Sequence, residues 1–345
     1  MKALLIGGTG TISAAISRKL LERGWELWLL NRATRNTILP AGVKEIHCDI
    51  TNEADAAEKL KELSFDVVAD FIIMRPEQAE RDYRLFKDKT RQYIFISSAS
   101  VYQKPPTDYL INESTPHINP FWEYSQNKIA CEDFFIEKYR KEGFPITIVL
   151  PSHTYDERKV PVALHGDKGS WQVLKRIIEG KPVIIPGDGA SLWTLTHNSD
   201  FAEGFIGLMG NIHALGQMVQ ICSDESLTWN QIYQVIAAAL EKPLKAVHVS
   251  SEFLASAAQS YDVRGGLLGD KANSVVFDCS KLKRLVPGFS AAIRFDQGVR
   301  KTIEHVLSHP ECRREDPEFD TWCDKIIAVR EKALRELSGK DLGSP

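Results

Sequence analysis

Three tyrosines in this chain are followed four positions later by a lysine: Tyr83 with Lys87, Tyr124 with Lys128, and Tyr155 with Lys159. At that spacing the two side chains share one face of a helix. A phenol titrates at about pH 10, so it exchanges protons at neutral pH only where its anion is stabilised. A lysine ammonium one turn away provides that stabilisation. Each pair is therefore a candidate acid/base, and each is equally an ordinary piece of solvated surface, because a two-residue pattern recurs by chance. Context separates them. Tyr83 and Lys87 lie in a helix-like stretch with no polar strand end leading to it. Tyr155 and Lys159 lie in TYDERKVP, whose charges and Pro161 read as a loop. Tyr124 and Lys128 follow an apolar run that ends in hydroxyls, IFISSASVY, and they open a long helix, YSQNKIACEDFFIEKY. In open α/β sheets the reactive groups gather beyond the carboxyl ends of the strands. Ser97 and Ser98 belong there, and Tyr124 can reach them.

The elements that would position these groups are visible as two alternating periods. Apolar runs occur at Ala3–Ile6, Glu26–Leu30, Lys44–Cys48, Val67–Phe71, Tyr93–Ser97 and Ile146–Leu150. Helix-like stretches at Ser13–Arg23, Glu53–Leu63, Pro76–Lys87 and Tyr124–Lys141 separate most of them. This rhythm predicts βαβ units and a parallel sheet covered on both faces, a doubly wound α/β fold of Rossmann type. After Pro151 the rhythm breaks into loops, short strands and helices at Trp171–Glu179, Asn198–Met209, Asn230–Leu240 and Phe295–Leu307, and the segment Asp316–Leu337 reads as a charged terminal helix. We therefore expect a dinucleotide-binding domain over 1–155 and a smaller, mainly substrate-binding domain over 156–345, with about 190–222 returning to the first sheet.

The first strand runs into LLIGGTGTISAAI. Glycines at the opening of a helix permit a tight turn and let a pyrophosphate approach the backbone, while the helix N-terminus offers unpaired N–H groups and a favourable dipole. Gly7, Gly8 and Gly10, with Thr11 and Ile12, fill this role, and Ser13 stands where the pattern has its last glycine. The second strand ends in LLNRATRN, with no acidic residue to hold a ribose 2′-hydroxyl. Asn31, Arg32 and Arg35 stand there instead, so NADP is favoured over NAD. Asp49, followed by Ile50, either hydrogen-bonds an adenine amine or caps the next helix.

Composition narrows the partners. The chain has 345 residues, 43% of them hydrophobic, and 43 basic side chains against 46 acidic ones give a net charge of −3. That balance gives no electrostatic reason to expect a nucleic acid or a membrane surface as partner. No apolar run is long enough to span a bilayer, and MKALLIGG reads as a first strand and not as a signal peptide. Six scattered cysteines (Cys48, Cys131, Cys222, Cys279, Cys312 and Cys323) in a chain of this size favour a reducing cytoplasm. His305, His309, Cys312 and Cys323 offer metal-ligand types, but their spacing matches no strong zinc template and we assign no metal.

Taken together, the Gly7–Ser13 turn, Ser-Ser-x-x-Val-Tyr ending at Tyr102, Tyr124-x-x-x-Lys128, Pro151-Ser152-His153 and Gly187-Asp188-Gly189 resemble the extended (atypical) short-chain dehydrogenase/reductases, the NAD-dependent epimerase/dehydratase family, over nearly the whole chain. The resemblance implies Ser98, Tyr124 and Lys128 as the catalytic set, with Lys128 also on the nicotinamide ribose. It places Phe71 and Ile72 beside the cofactor, and Pro151, Ser152 and His153 near the nicotinamide. Ile72 and Ile73 are bulky where the family has small residues, and Asp70 before them is either a buried hydrogen-bonded acid or a site residue. Ala99 and Ser100 stand where the family's sugar dehydratases carry an Asp-Glu pair, which disfavours dehydration. Leu150 stands where the family often has arginine, and Leu192-Trp193 where nucleotide-sugar enzymes commonly have an arginine that holds the diphosphate. An indole suits the carbon face of an uncharged sugar better than a diphosphate. The expectation is an NAD(P)-dependent oxidoreductase or epimerase acting on a hydroxyl or ketone carbon of a sugar-like small molecule. Ser98, Ser100, Trp193 and His197 would touch that substrate, and a homodimer stays open. The alternatives are a nucleotide-sugar epimerase or reductase of the same family, and a non-catalytic NAD(P)-binding or RNA-binding relative.

Overall fold

The computed structural model describes residues 1–32, 39–258 and 263–338. The chain divides into two compact units, the first made of Met1–Asp156, Thr194–Glu225 and Val275–Ile293, the second of Glu157–Trp193, Ser226–Ser274 and Arg294–Pro345.

The first unit alternates strand and helix from its first residues: β1 (Lys2–Ile6), α1 (Thr11–Glu22), β2 (Glu26–Asn31), β3 (Lys44–His47), α2 (Glu53–Lys59), β4 (Val67–Asp70), α3 (Pro76–Phe86) and β5 (Tyr93–Ile96). A two-residue strand β6 (Leu110–Ile111) precedes α4 (Glu123–Glu142), β7 (Ile146–Pro151) and β8 (His153–Tyr155). Seven parallel strands form the main sheet in the order Met218–Ile221, β7, β5, β4, β1, β2, β3. The central strands are buried on both faces, which is why they read as unbroken apolar runs and not as alternating patterns. Ala3 and Leu5 of β1 face one core with Ala15, Ile16 and Leu20 of α1 and Phe201 and Phe205 of the helix Asn198–Leu208. Leu4 and Ile6 face the other core with Ala56, Ala79, Phe86, Cys131 and Phe135 of α2, α3 and α4.

Local chemistry sets the helix ends. Pro76 opens α3, where its missing N–H costs nothing, and Asn52 caps α2 by accepting from Asp55 N–H. Gly143, at φ 72°, ends α4 in the left-handed conformation that glycine adopts without penalty. Two later segments complete the unit. Asn198 Nδ2 donates to Thr11 O at 3.1 Å, and Val276–Phe277 pairs with β6.

The second unit contains the helices Trp171–Ile178, Trp229–Ala239, Phe295–Ser308 and Pro317–Ser338, and a parallel strand pair, Val183–Pro186 with Ala246–Val249. Its terminal helix is anchored by buried Phe319, Cys323, Ile326 and Ile327 and by Arg176, which bonds Asp320 and Asp324 at 2.7 Å each. Among the described residues no helix is long and apolar enough to cross a membrane.

Candidate active site

The turn between β1 and α1 comes close to two neighbouring strands. Gly7 has φ 81°, and a Cβ on it would lie 2.5 Å from Ile72 Cγ2, while a Cβ on Gly8 would lie 2.4 Å from Leu29 Cδ2. Both glycines are required by space, and Gly7 by its backbone angle as well. Ser13 is buried at the place of the expected third glycine. Its Oγ donates to Gly7 O at 2.8 Å and accepts from Gly10 N–H at 2.9 Å, and Ser17 Oγ donates to Gly8 O at 3.1 Å. Serine thus ties the turn to the helix by hydrogen bonds where glycine would do so by close packing.

Below this turn the first unit holds a cleft of about 580 Å³. Its walls are Gly7, Gly10, Thr11 and Ile12 from the turn, Asn31 and Arg32 after β2, Asp49 and Ile50 after β3, and Phe71 and Ile72 after β4. Gly8 instead faces Leu29, Arg35 lies outside the described residues, and Pro151, Ser152 and His153 are not among the lining residues. The open turn and the α1 N-terminus suit a pyrophosphate, and the carboxyl ends of four parallel strands frame the rest of a dinucleotide. Asp49 does not cap α2. It accepts from Thr51 N–H at 3.0 Å and Thr51 Oγ1 at 2.7 Å, bonds that hold its pKa below the usual carboxylate value, and α2 takes Asn52 as its cap. The cleft has one lining cation that sequence reading missed: Arg81 of α3, whose Nε and Nη2 reach Asp82 Oδ1 at 2.8 and 2.5 Å.

Past the end of β5 the two adjacent serines part ways. Ser97 Oγ donates to Glu132, which also receives His117 Nδ1 at 2.6 Å, so Ser97 is committed to a buried structural network. Ser98 is only half-buried and ends a line of hydroxyls. Ser125 Oγ donates to Ser100 Oγ at 2.8 Å, and Ser100 Oγ and N–H donate to Ser98 Oγ at 3.0 and 3.2 Å. Ser98 therefore accepts twice and keeps its own proton to give. Ser125, the residue after Tyr124, carried no sequence signal beyond being small.

Tyr124 stands in the first turn of α4, its ring 4.9 Å from that of Trp122. Lys128, one turn on, is 2% exposed, with Nζ 5.7 Å from the Tyr124 ring centre. Its ammonium donates to Ile73 O at 2.5 Å and Ile96 O at 2.8 Å, leaving one of three protons uncommitted by these bonds. Burial lowers its pKa from the ordinary lysine value of 10.5 to about 8.

The other two tyrosine–lysine pairs have different surroundings. Tyr83 donates to Glu142 at the protein surface. Tyr155 was expected in a loop, but it ends strand β8, is buried, and meets the His197 ring edge-on at 5.2 Å. Pairing of β8 with Leu195–His197 holds it there, an ordering that a run of charges after it does not reveal. His197 caps the helix Asn198–Leu208, its Nδ1 lying 2.6 Å from Ser199 Oγ. Ser152 Oγ lies 2.9 Å from Thr196 Oγ1. In the second unit Trp193 is 5% exposed and stacks on Trp229 at 5.3 Å between ring centres. His305 and His309 stack at 3.7 Å, and no group of three or more His, Cys, Asp and Glu among the described residues is arranged to hold a metal ion.

Comparison with known proteins agrees with this architecture. The chain is 25% identical over 293 residues to a 2'-dehydrokanamycin reductase of Streptomyces kanamyceticus, covering 84% of this chain and 80% of that protein. It is 25% identical over 251 residues to the chloroplast stem-loop binding protein of 41 kDa b of Arabidopsis thaliana, covering 69% of this chain and 63% of that one. The solved UDP-glucuronic acid 4-epimerase of Bacillus cereus, in complex with UDP-glucuronic acid and NAD, superposes with a TM-score of 0.70 at 19% identity, covering 89% of this chain and 99% of that chain. The sequence model of the NAD dependent epimerase/dehydratase family matches residues 3–222. That match spans well over half of the chain, and the chain belongs to the NAD-dependent epimerase/dehydratase family, whose members include NAD-dependent epimerases and reductases.

Proposed function

We propose that this protein is an NAD(P)-dependent oxidoreductase, with NADP preferred, that reduces a ketone or oxidises a hydroxyl on a sugar-like small molecule. The observation that carries this reading is the hydroxyl line Ser125–Ser100–Ser98, which leaves Ser98 as a hydrogen-bond donor. A donor at that place polarises a carbonyl oxygen and stabilises the negative charge that develops on it.

The bound nicotinamide supplies or takes up the hydride. In the reducing direction the chain's own residues do the rest. Ser98 donates to the carbonyl oxygen, and Tyr124 gives that oxygen its phenolic proton as the carbon is reduced. The Lys128 ammonium stabilises the phenolate left behind, and its uncommitted proton suits a ribose hydroxyl of the cofactor. The reverse sequence oxidises an alcohol, and alternating the two epimerises a carbon. Among the family's activities reduction is favoured here by a relative whose name specifies a reductase. Ala99 and Ser100, uncharged at the place of the dehydratase acids, give no group for eliminating water. Trp193 and Leu192, in place of an arginine, favour a substrate without a diphosphate.

Cofactor preference rests on Arg32, which lines the cleft after a strand that ends without an acid. Calorimetry should show NADPH binding at least about tenfold tighter than NADH, as a charge-assisted contact to a 2′-phosphate predicts, and Arg32→Asp should reverse the order. Equal affinities would end that assignment. A thermal-shift panel with saturating cofactor tests the substrate class. Saturable stabilisation by UDP-, GDP- or dTDP-sugars that UMP, GMP or TMP does not reproduce would refute the diphosphate-free reading.

A further inference from the structure

Asp70 ends β4 fully buried, and its Oδ1 accepts from two successive backbone N–H groups, Ile72 at 2.5 Å and Ile73 at 2.9 Å. Those two residues face different tasks. Ile72 is 41% exposed and forms part of the cleft wall, close against Gly7. Ile73 is fully buried, and its carbonyl receives Lys128 Nζ at 2.5 Å. One carboxyl oxygen therefore holds the short backbone segment that carries both the nucleotide wall and an anchor of the lysine.

A second fully buried carboxyl lies beside it. Asp82 of α3 accepts from Arg81 Nε and Nη2 and from the Tyr93 phenol. Two carboxyls buried together do not both ionise. Burial first, and the Asp82 charge second, push the Asp70 acid well above the usual carboxylate range. Burial raises Asp82 as well, while Arg81, Asp70 and Tyr93 pull it back down. Asp82 thus holds the negative charge against Arg81, and Asp70 stays a neutral acid that accepts through Oδ1. Burying a carboxyl in this way costs free energy that a plain apolar side chain would avoid.

We propose that Asp70 is a positioning residue for cofactor and lysine together: through Ile72 and Ile73 it fixes the wall of the cleft and the carbonyl that anchors Lys128. The inference rests on reading the cleft as the dinucleotide site. An asparagine here reproduces the neutral acid, with an oxygen to accept and an N–H group to donate. A leucine of similar size takes the acceptor away from both backbone N–H groups, and that of Ile73 is buried.

The test measures NADPH affinity from the cofactor's fluorescence, well below each variant's thermal midpoint. Asp70→Leu should weaken binding about tenfold or more, and Asp70→Asn should stay within about threefold of the wild type. A purely structural aspartate would lower the midpoint and leave the affinity of the folded protein unchanged, and that result overturns the proposal. A double-mutant cycle with Lys128→Met adds a readout that a structural role does not move. The lysine change should cost less affinity in the Asp70→Leu background than in the wild type, and additive losses overturn the coupling. Should Asp70→Leu not fold, Asp70→Asn decides: tenfold weakening in that variant overturns the inference. Wild-type protein that binds neither NADPH nor NADH overturns the reading of the cleft and this inference with it. Wild-type binding with an unaffected Asp70→Leu overturns the inference alone.

Discussion

Helices α3 and α4 carry the same tyrosine–lysine spacing, and the lysine nitrogen sits at nearly the same distance from the ring centre: 6.0 Å for Lys87 over Tyr83 and 5.7 Å for Lys128 over Tyr124. Their surroundings differ completely. Lys87 is exposed, and the Tyr83 phenol donates a hydrogen bond to Glu142, which raises the phenol's pKa further from neutrality. Lys128 is enclosed between two backbone carbonyls, Ile73 O and Ile96 O, at the carboxyl edge of the sheet. A negative neighbour keeps a tyrosine protonated, and a positive one brings its phenolate within reach near neutral pH. The lesson is that spacing proposes a pair and burial with charge decides whether it can do chemistry.

That contrast can be broken experimentally, most forcefully at the tyrosines. Tyr124→Phe should lower turnover by about 10²–10⁴-fold, the usual worth of a general acid/base, with cofactor affinity nearly unchanged. Tyr83→Phe should leave turnover as it was. Comparable losses from the two changes would show that the α4 pair is not special.

The lysines should differ by less. Lys128→Met should slow turnover and weaken cofactor binding about tenfold, because it removes charge-assisted hydrogen bonds, whereas Lys87→Met should do neither. Stopped-flow binding and steady-state rates on both variants give the answer.

The smallest effect is in pH dependence, and it sharpens the comparison. Lys128 is charged below its pKa of about 8 and loses its proton as pH rises through it. The kcat/KM of the free enzyme should therefore fall above about pH 8. Stability runs the other way. The unfolded lysine keeps its proton up to its ordinary value of 10.5, so the buried ammonium costs stability in full below about pH 8, and the cost disappears between about 8 and 10.5. Relative to Lys128→Met, the wild type should gain thermal stability over that interval, and relative to Lys87→Met it should not. Parallel curves for the two variants would contradict the burial argument.

Much of this was legible in the chain because apolar periodicity reports directly on which residues a sheet and its helices bury. The six apolar runs and four helix-like stretches of the first half correspond within a few residues to β1–β5, β7 and α1–α4. Other features carried no local signal. PEQAERDYRLF reads as a solvated helix face, yet Arg81 and Asp82 are buried in it, because α3 docks against α4 and beside Tyr93. Ser125 matters only because α4 brings it against Ser100, 25 positions away. The segment Val275–Ile293 joins the first unit through a two-residue strand too short to show a period.

By itself, then, the sequence determined the order of β1–β5, β7 and α1–α4, the glycine turn, the absence of an acid after β2, and the shared helix face of Tyr124 and Lys128. These are properties of neighbouring residues, set by backbone conformation and by which side chains avoid water. Only the tertiary structure decided that Ser97 is spent on Glu132 while Ser98 keeps its proton, that Asp70 and Asp82 share a buried site, and that Lys128 loses its water for two carbonyls. Hydrogen-bond direction and proton affinity depend on what lies within a few ångströms in space, and those neighbours come from elements far apart in the chain.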